Sequence, residues 1–190
     1  FAMTRQHEFA VVAISRKDGK IVWQQTVHKD LPHEAGHVTA SLASASPATD
    51  GEFIFASFGS YGVYCLDTRG KLICKKNLGE MHTKHGHCEG SSPALHGDTL
   101  VVNWDHEEQS FLIALDKRSG KKRWHAARPE DSSWSSPIIV EHAGKAQVIV
   151  PGTKRMRSYD LADGKVLWEC GGLSSNIVAA PVSAGGFVYA

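Results

Sequence analysis

The side chains best suited to chemistry in this sequence are histidines, 11 of them in 190 residues, and they are not scattered. His28, His33 and His37 sit close together, and His82, His85 and His87 form a His-x-x-His-x-His run followed by Cys88 and Glu89. Imidazole and thiolate are suitable ligands for Zn²⁺ or Cu²⁺, and a loop can bend several of them inward, which makes His82, His85 and His87 the candidate metal ligands. Their spacing matches no recognised zinc pattern, and the plainer alternative is a set of solvated or hydrogen-bonding loop histidines. Asp105-His106-Glu107-Glu108 combines the residue types of general acid–base catalysis, but its position between two apolar runs reads as a solvated hairpin tip. No Gly-x-Ser-x-Gly nucleophile motif is present, and no Gly-rich phosphate loop leads from a strand into a helix.

The elements that must position these residues are strands. Glu52–Ala56, Thr99–Asn103 and Gln147–Val150 are short, β-branched or aromatic, and bounded by Gly, Asp, Asn or Ser. They belong to a repeat. A Gly-Lys pair recurs with its glycines at 19, 70, 120 and 164, and a small residue followed by proline recurs at Ser46-Pro47, Ser92-Pro93, Ser136-Pro137 and Ala180-Pro181. Each period accommodates about four strands, and tandem four-stranded antiparallel units of roughly 40 to 50 residues are the signature of β-propeller blades. The phase predicts the end of one blade plus a loop over residues 1–41, whole blades at 42–79, 88–127 and 132–170, and the start of a further blade at 179–190.

The fold class is therefore all-β, about four blade-equivalents of an incomplete seven- or eight-bladed propeller. Closure as a four-bladed ring, with residues 179–190 pairing onto residues 9–27, is the alternative; without it, uncovered blade faces and unpaired edges would favour aggregation. In a four-stranded meander the connections between blades and those from second to third strand emerge on one face. That face receives both histidine groups, and its candidate binding residues are His33, His37, Tyr61, Glu89, Trp104, His106, Trp134 and Arg155. The Gly-Lys turns lie on the opposite face.

Composition narrows the partners. Lys and Arg number 21 against 20 Asp and Glu, a net charge of +1, which removes the electrostatic case for nucleic acid or an anionic membrane surface. No apolar run approaches the roughly 18 residues of a transmembrane helix.

The segment Ala114-Leu115-Asp116-Lys117-Arg118-Ser119-Gly120-Lys121-Lys122-Arg123-Trp124, echoed in the other periods, resembles the repeat of the pyrroloquinoline-quinone-like (PQQ-like) β-propellers, which include BamB-like outer-membrane assembly factors and quinoprotein dehydrogenases. The resemblance implies that Trp23, Ala114, Trp124 and Trp168 dock neighbouring blades, a role that suits the large buried area of an indole. Ser15 and Ser158 depart from the pattern, and Cys65 and Cys74 replace the alanine and tryptophan of the second repeat, whose turn is one residue shorter. With Arg69-Gly70 as a two-residue turn these cysteines lie directly opposite. Either a cross-strand disulfide or two packed thiols fits that position.

Quinone-dependent members of the family carry a disulfide between adjacent cysteines over the cofactor and hold Ca²⁺ with acidic and amide side chains. No two cysteines are adjacent here. The resemblance therefore implies a non-catalytic binding or assembly scaffold in the periplasm or cell envelope, with a protein or extended ligand on the histidine-rich face and no cofactor. The opposing expectation is a fragment of a PQQ- and Ca²⁺-dependent dehydrogenase, or a Zn²⁺ or Cu²⁺ enzyme built on the histidines.

Overall fold

A computed structural model describes residues 5–190, built from strands with two single turns of 3-10 helix among the described residues. The hairpin β1 (His7–Ile14) and β2 (Ile21–Asp30) comes first. Three four-stranded antiparallel meanders follow: β3 (Ala48–Thr49), β4 (Phe53–Ser57), β5 (Val63–Asp67) and β6 (Leu72–Lys76); β7 (Ala94–His96), β8 (Thr99–Trp104), β9 (Phe111–Asp116) and β10 (Lys122–Ala127); β11 (Ile138–His142), β12 (Lys145–Pro151), β13 (Arg155–Asp160) and β14 (Val166–Gly171). The hairpin β15 (Val182–Ala184) and β16 (Phe187–Tyr189) comes last. β1 pairs with β2 and β15 with β16 in separate two-stranded sheets. Residues 179–190 thus do not close the ring onto residues 9–27. The blades form an open propeller array.

The middle strands are buried on both faces, and the period-2 alternation of a strand sorts their side chains between two seams. Leu100, Val102, Ile113 and Leu115 pack against Phe53, Phe55, Val63 and Cys65 of the preceding blade. Val101, Leu112 and Ala114 turn the other way, onto Val148, Val150 and Tyr159 of the next. A third cluster joins Phe9 and Val11 to Phe58, Tyr61, Tyr64 and Leu66. Side chains that face no neighbouring blade stay exposed, among them Ile21, Val22, Val166, Leu167 and Phe187.

Each hairpin between third and fourth strands carries a bulge one residue before the docking position. The bulge sets Trp23 opposite Ala13, Cys74 opposite Cys65, Trp124 opposite Ala114 and Trp168 opposite Ser158. The second hairpin corrects the expected two-residue turn. The Asp67 amide donates to the Lys71 carbonyl, enclosing a three-residue loop, and the bulge at Ile73 restores the Cys65–Cys74 pairing. Both cysteines are free thiols.

The indoles reach across to the next blade's turn. Trp23 Nε1 donates to the Thr68 carbonyl at 3.1 Å, and Trp124 Nε1 to the Leu161 carbonyl at 2.7 Å. Their rings lie under Gly70 and Gly164, where an added Cβ would come within 2.9 and 2.6 Å of the indole. Both glycines also adopt positive φ, +85° and +75°. Trp168 is 37% exposed and donates instead to Gln147 of its own blade. Cys74 has no such donor, and charges hold that seam. Lys117 bridges Asp50 (2.9 Å) and Asp98 (3.1 Å), while Arg118 pairs with Glu52 and lies over the Phe53 ring.

The small-residue–proline marker has its own use. The Ser46 amide donates to Ser92 Oγ and the Ser92 amide to Ser136 Oγ, a ladder that steps from one blade entry to the next. Ser91 Oγ and Ser135 Oγ continue it by donating to the Ser135 and Ala179 carbonyls.

Candidate functional site

The interblade connections 31–47, 77–93, 128–137 and 172–181 and the second-to-third-strand connections 58–62, 105–110 and 152–154 meet on one face, bound together by hydrogen bonds. Ser60 donates through its amide (3.2 Å) and its hydroxyl to Glu89, and Ser60 Oγ accepts the Met81 amide at 2.8 Å. Glu107 accepts the Ser132 amide, and its own amide donates to the His82 carbonyl. Gly59, at φ +53°, passes so near Glu89 that a Cβ would lie 2.6 Å from the Glu89 Cγ.

The deepest layer is ionic. Arg128 donates to both oxygens of Asp105 (2.7 and 3.0 Å) and to the Tyr159 hydroxyl (2.8 Å), with both charged side chains fully buried. Ser133 Oγ and Asn103 Nδ2 complete the carboxylate's partners. Beside it, buried Glu130 pairs with Arg157, which also reaches Glu169 at 3.1 Å. Asp105, Arg128 and Glu130 are buried in these pairs and lock the connections together, while Glu169 is exposed at the edge. The expected solvated hairpin tip at 105–108 is corrected here: Asp105 and His106 are buried, because Arg128 and Ser110 satisfy them, and only Glu107 and Glu108 are exposed.

Above this layer lie the histidines, in two groups. His33 donates its backbone amide to the Tyr61 hydroxyl (3.1 Å), its Nδ1 lies 3.0 Å from the same oxygen, and its Nε2 lies 2.8 Å from the Met81 carbonyl. A carbonyl only accepts, so Nε2 carries the proton and Nδ1 accepts from Tyr61. Burial pushes the Tyr61 phenol up to about 12, which keeps that proton in place. Tyr61 is stacked on Phe9 at 4.4 Å. His82 turns toward Glu34, with Nδ1 at 3.1 Å from its carboxylate, and its Nε2 lies 3.8 Å from Glu108. One ligand atom from each of His33, Glu34 and His82 falls within 4.8 Å of the others.

His85 and His87 belong to the second group. The His87 ring lies 4.8 Å from His37, 6.1 Å from His85 and 6.0 Å from Trp134, whose Nε1 donates to the Cys88 carbonyl. The 82–88 run is therefore divided: His82 leaves the other two because the 3-10 turn at Lys84–Gly86, with His85 at φ +57°, points them apart. Around His85, His87 and Trp134, residues Ser44, Gly90, Ser136, Asn176 and Val178 complete an open cleft of about 560 Å³, to which all four interblade connections contribute.

Other expected face residues fall elsewhere. Trp104 is 2% exposed and stacked on Phe111 in the core. His106 is buried, its Nδ1 accepting the His82 amide and its Nε2 donating to the Gln109 carbonyl. Arg155 is exposed and paired with Glu169 at 2.6 Å. The Asp105–Arg128 pair and the part played by Glu34 were missed in the sequence. Partners separated by 23 and 48 residues share no local pattern.

Residues 7–190 match the family model described as outer membrane protein assembly factor BamB. Among solved structures, BamB from Moraxella catarrhalis superposes with a TM-score of 0.67 at 16% identity, over 97% of this chain and 59% of that one. A europium-containing methanol dehydrogenase gives 0.61 at 15% identity over 87% of this chain and 39% of its own, and the computationally designed Ika4 protein gives 0.53 at 11% over 80% and 85%. The chain thus spans less than two thirds of the BamB and dehydrogenase structures, and at these identities the likeness is one of fold. No curated protein sequence matches it. With the repeat, the blades and the family match in agreement over residues 7–190, the chain belongs to the BamB-like family of PQQ-repeat β-propellers.

Proposed function

We propose that this chain is part of a non-catalytic binding or assembly scaffold of the cell envelope, and that the histidine-rich face holds a protein or an extended ligand. The observation that supports this reading is the cleft at His85, His87 and Trp134. Four separate interblade connections build it, and an indole edge, two imidazoles, small polar residues and Val178 line it. Its walls offer shape, aromatic surface and hydrogen-bonding groups, which suits recognition. Of its hydroxyls, Ser44 Oγ donates to the Ser41 carbonyl and Ser136 Oγ accepts the Ser92 amide.

The residues present do not fit the quinone site of the dehydrogenases. The cysteines, Cys65, Cys74, Cys88 and Cys170, include no adjacent pair, and the buried acidic groups Asp105 and Glu130 are consumed by Arg128 and Arg157.

The scaffold reading is tested in the full-length protein by capture of its envelope partner. Trp134→Ala combined with His87→Ala should lower capture at least about 10-fold, the scale of one well-packed aromatic contact, while Lys121→Ala on the Gly-Lys face should leave it unchanged. Equal capture by both variants refutes the assignment of the face. A stoichiometric bound-quinone spectrum after reconstitution with PQQ and Ca²⁺ refutes the non-catalytic reading.

A further inference from the structure

We propose that His33, Glu34 and His82 form a binding site for a divalent transition-metal ion of the Zn²⁺ class. This set differs from the 82–88 run and draws on two interblade connections. Its donors, two imidazoles and one carboxylate, are those that Zn²⁺ takes in sites with an open fourth position.

Three features of the geometry point to it. First, Glu34 Oε2 and His82 Nδ1 stand 3.1 Å apart. Two ligands on one tetrahedral Zn²⁺ with bonds of about 2.0 to 2.1 Å are separated by about 3.3 Å, so this pair is already near coordination spacing. The third ligand atom lies within 4.8 Å, and a shift of roughly 1.5 Å in the His33 ring completes the set at the same spacing.

Second, Glu34 and His33 have hydrogen-bonded outer partners of the kind that orient metal ligands, and a carboxylate stands at ion-pair distance from His82. Glu34 Oε1 accepts from the Thr83 amide (3.3 Å) and hydroxyl (3.2 Å), which leaves Oε2 toward His82. His82 carries the Glu108 carboxylate 3.8 Å from its far nitrogen. His33 holds Met81 O with one nitrogen and Tyr61 with the other; metal binding exchanges one of these hydrogen bonds for a coordinate bond, and the other fixes the ring. Third, the site is reachable. Glu34 and His82 side chains are 23% and 48% exposed, and His33 lines an open cleft of about 830 Å³ with Asp30, Tyr61 and Asn77.

The site does not depend on the scaffold reading, and its test has a separate readout. Chelator-treated full-length protein is titrated with Zn²⁺ by calorimetry. One saturable equivalent is expected, weakened at least about 10-fold by His82→Ala and by Glu34→Gln, and unchanged by His85→Ala and His87→Ala. Glu34→Gln retains an oxygen for Thr83, and near-UV circular dichroism verifies that each variant keeps its packing. A second measurement needs no variant: bound Zn²⁺ should protect His82 from diethylpyrocarbonate modification, read by mass spectrometry. Absence of a saturable equivalent, binding that survives both Glu34→Gln and His82→Ala, loss on His85→Ala or His87→Ala, or an unprotected His82 each overturns the proposal.

Discussion

The four Gly-Lys turns supply a graded series for testing how the blades dock. Gly19, Gly70, Gly120 and Gly164 occupy equivalent positions at φ +72°, +85°, +65° and +75°, so an alanine at any of them bears a similar left-handed cost of about 1 to 2 kcal/mol. What differs is the neighbour a Cβ would meet: nothing within 4 Å at Gly19, Cys74 Sγ at 3.9 Å at Gly120, the Trp23 ring at 2.9 Å at Gly70, and the Trp124 ring at 2.6 Å at Gly164. The last two contacts are shorter than carbon atoms tolerate, and each indole is pinned by its Nε1 hydrogen bond, so overpacking adds about 1 to 3 kcal/mol. Gly19→Ala and Gly120→Ala should therefore cost about 1 to 2 kcal/mol, and Gly70→Ala and Gly164→Ala about 2 to 5. Urea midpoints measure the order. A Trp124→Ala background removes the ring, and there the extra penalty of Gly164→Ala should vanish, a coupling that a double-mutant cycle isolates. Four equal penalties, or a Gly164→Ala penalty unchanged without Trp124, would refute docking of the indole on the turn.

Further expectations follow from the charged and thiol groups. Arg128→Ala strands Asp105 as a buried unpaired carboxylate and should cost about 3 to 5 kcal/mol in chemical denaturation, whereas replacing both partners with apolar residues of similar volume should be far milder. The Phe53 amide, and then Lys117, hold the Asp50 carboxyl down to about 2. A carboxyl lowered on folding stabilises above its unfolded pKa of about 4 and loses that contribution as the pH falls toward 2. Asp50→Asn should accordingly flatten the acid limb of the stability–pH profile between those values. The Cys65 thiol, donating to Cys74, draws the Cys74 pKa below the ordinary thiol value, while burial pushes Cys88 up to about 11. In a Cys170→Ser background at neutral pH, iodoacetamide should label Cys74 before Cys88, as peptide mapping would show.

The fold was legible because its markers are local and repeated. The Gly-Lys turn, the indole and the proline at each blade entry recur with the period of the blade, so strand order follows from them without long-range information. The reason for the serine in the marker was not legible, since the Ser46–Ser92 and Ser92–Ser136 hydrogen bonds join residues a full blade apart. The convergence of connections on one face followed from meander topology. Which histidines meet did not: His82 is separated from His85 by a backbone twist inside two residues and is drawn to Glu34, a residue with no motif around it. Asp105 reads as a solvated tip because its sequence neighbours are charged, and it is Arg128, with Ser133 and Asn103, that satisfies its buried carboxylate.

The seam between the blades β3–β6 and β7–β10 shows how a propeller absorbs the loss of a repeat residue. Where Trp23 and Trp124 fasten neighbouring blades by an indole hydrogen bond over a glycine, Cys74 leaves a gap of about 10 Å³ beside Gly120, near the limit for one water. Nothing at the centre of that turn replaces the lost donor. Polar contacts cross this seam at both rims: Lys117 lies between Asp50 and Asp98 on the Gly-Lys side, and on the histidine side the Glu107 amide donates to the His82 carbonyl. Ion pairs of a side chain as covered as Lys117, 10% exposed, resist screening better than open surface pairs, and two carboxylates on one ammonium fix its position. The rim on the histidine side is also where connection 77–93 crosses from one blade to the next. There the His82 amide donates to His106 Nδ1 and the His82 carbonyl accepts the Glu107 amide, so bonds across the seam that lacks an indole also hold the segment that carries His82, His85 and His87.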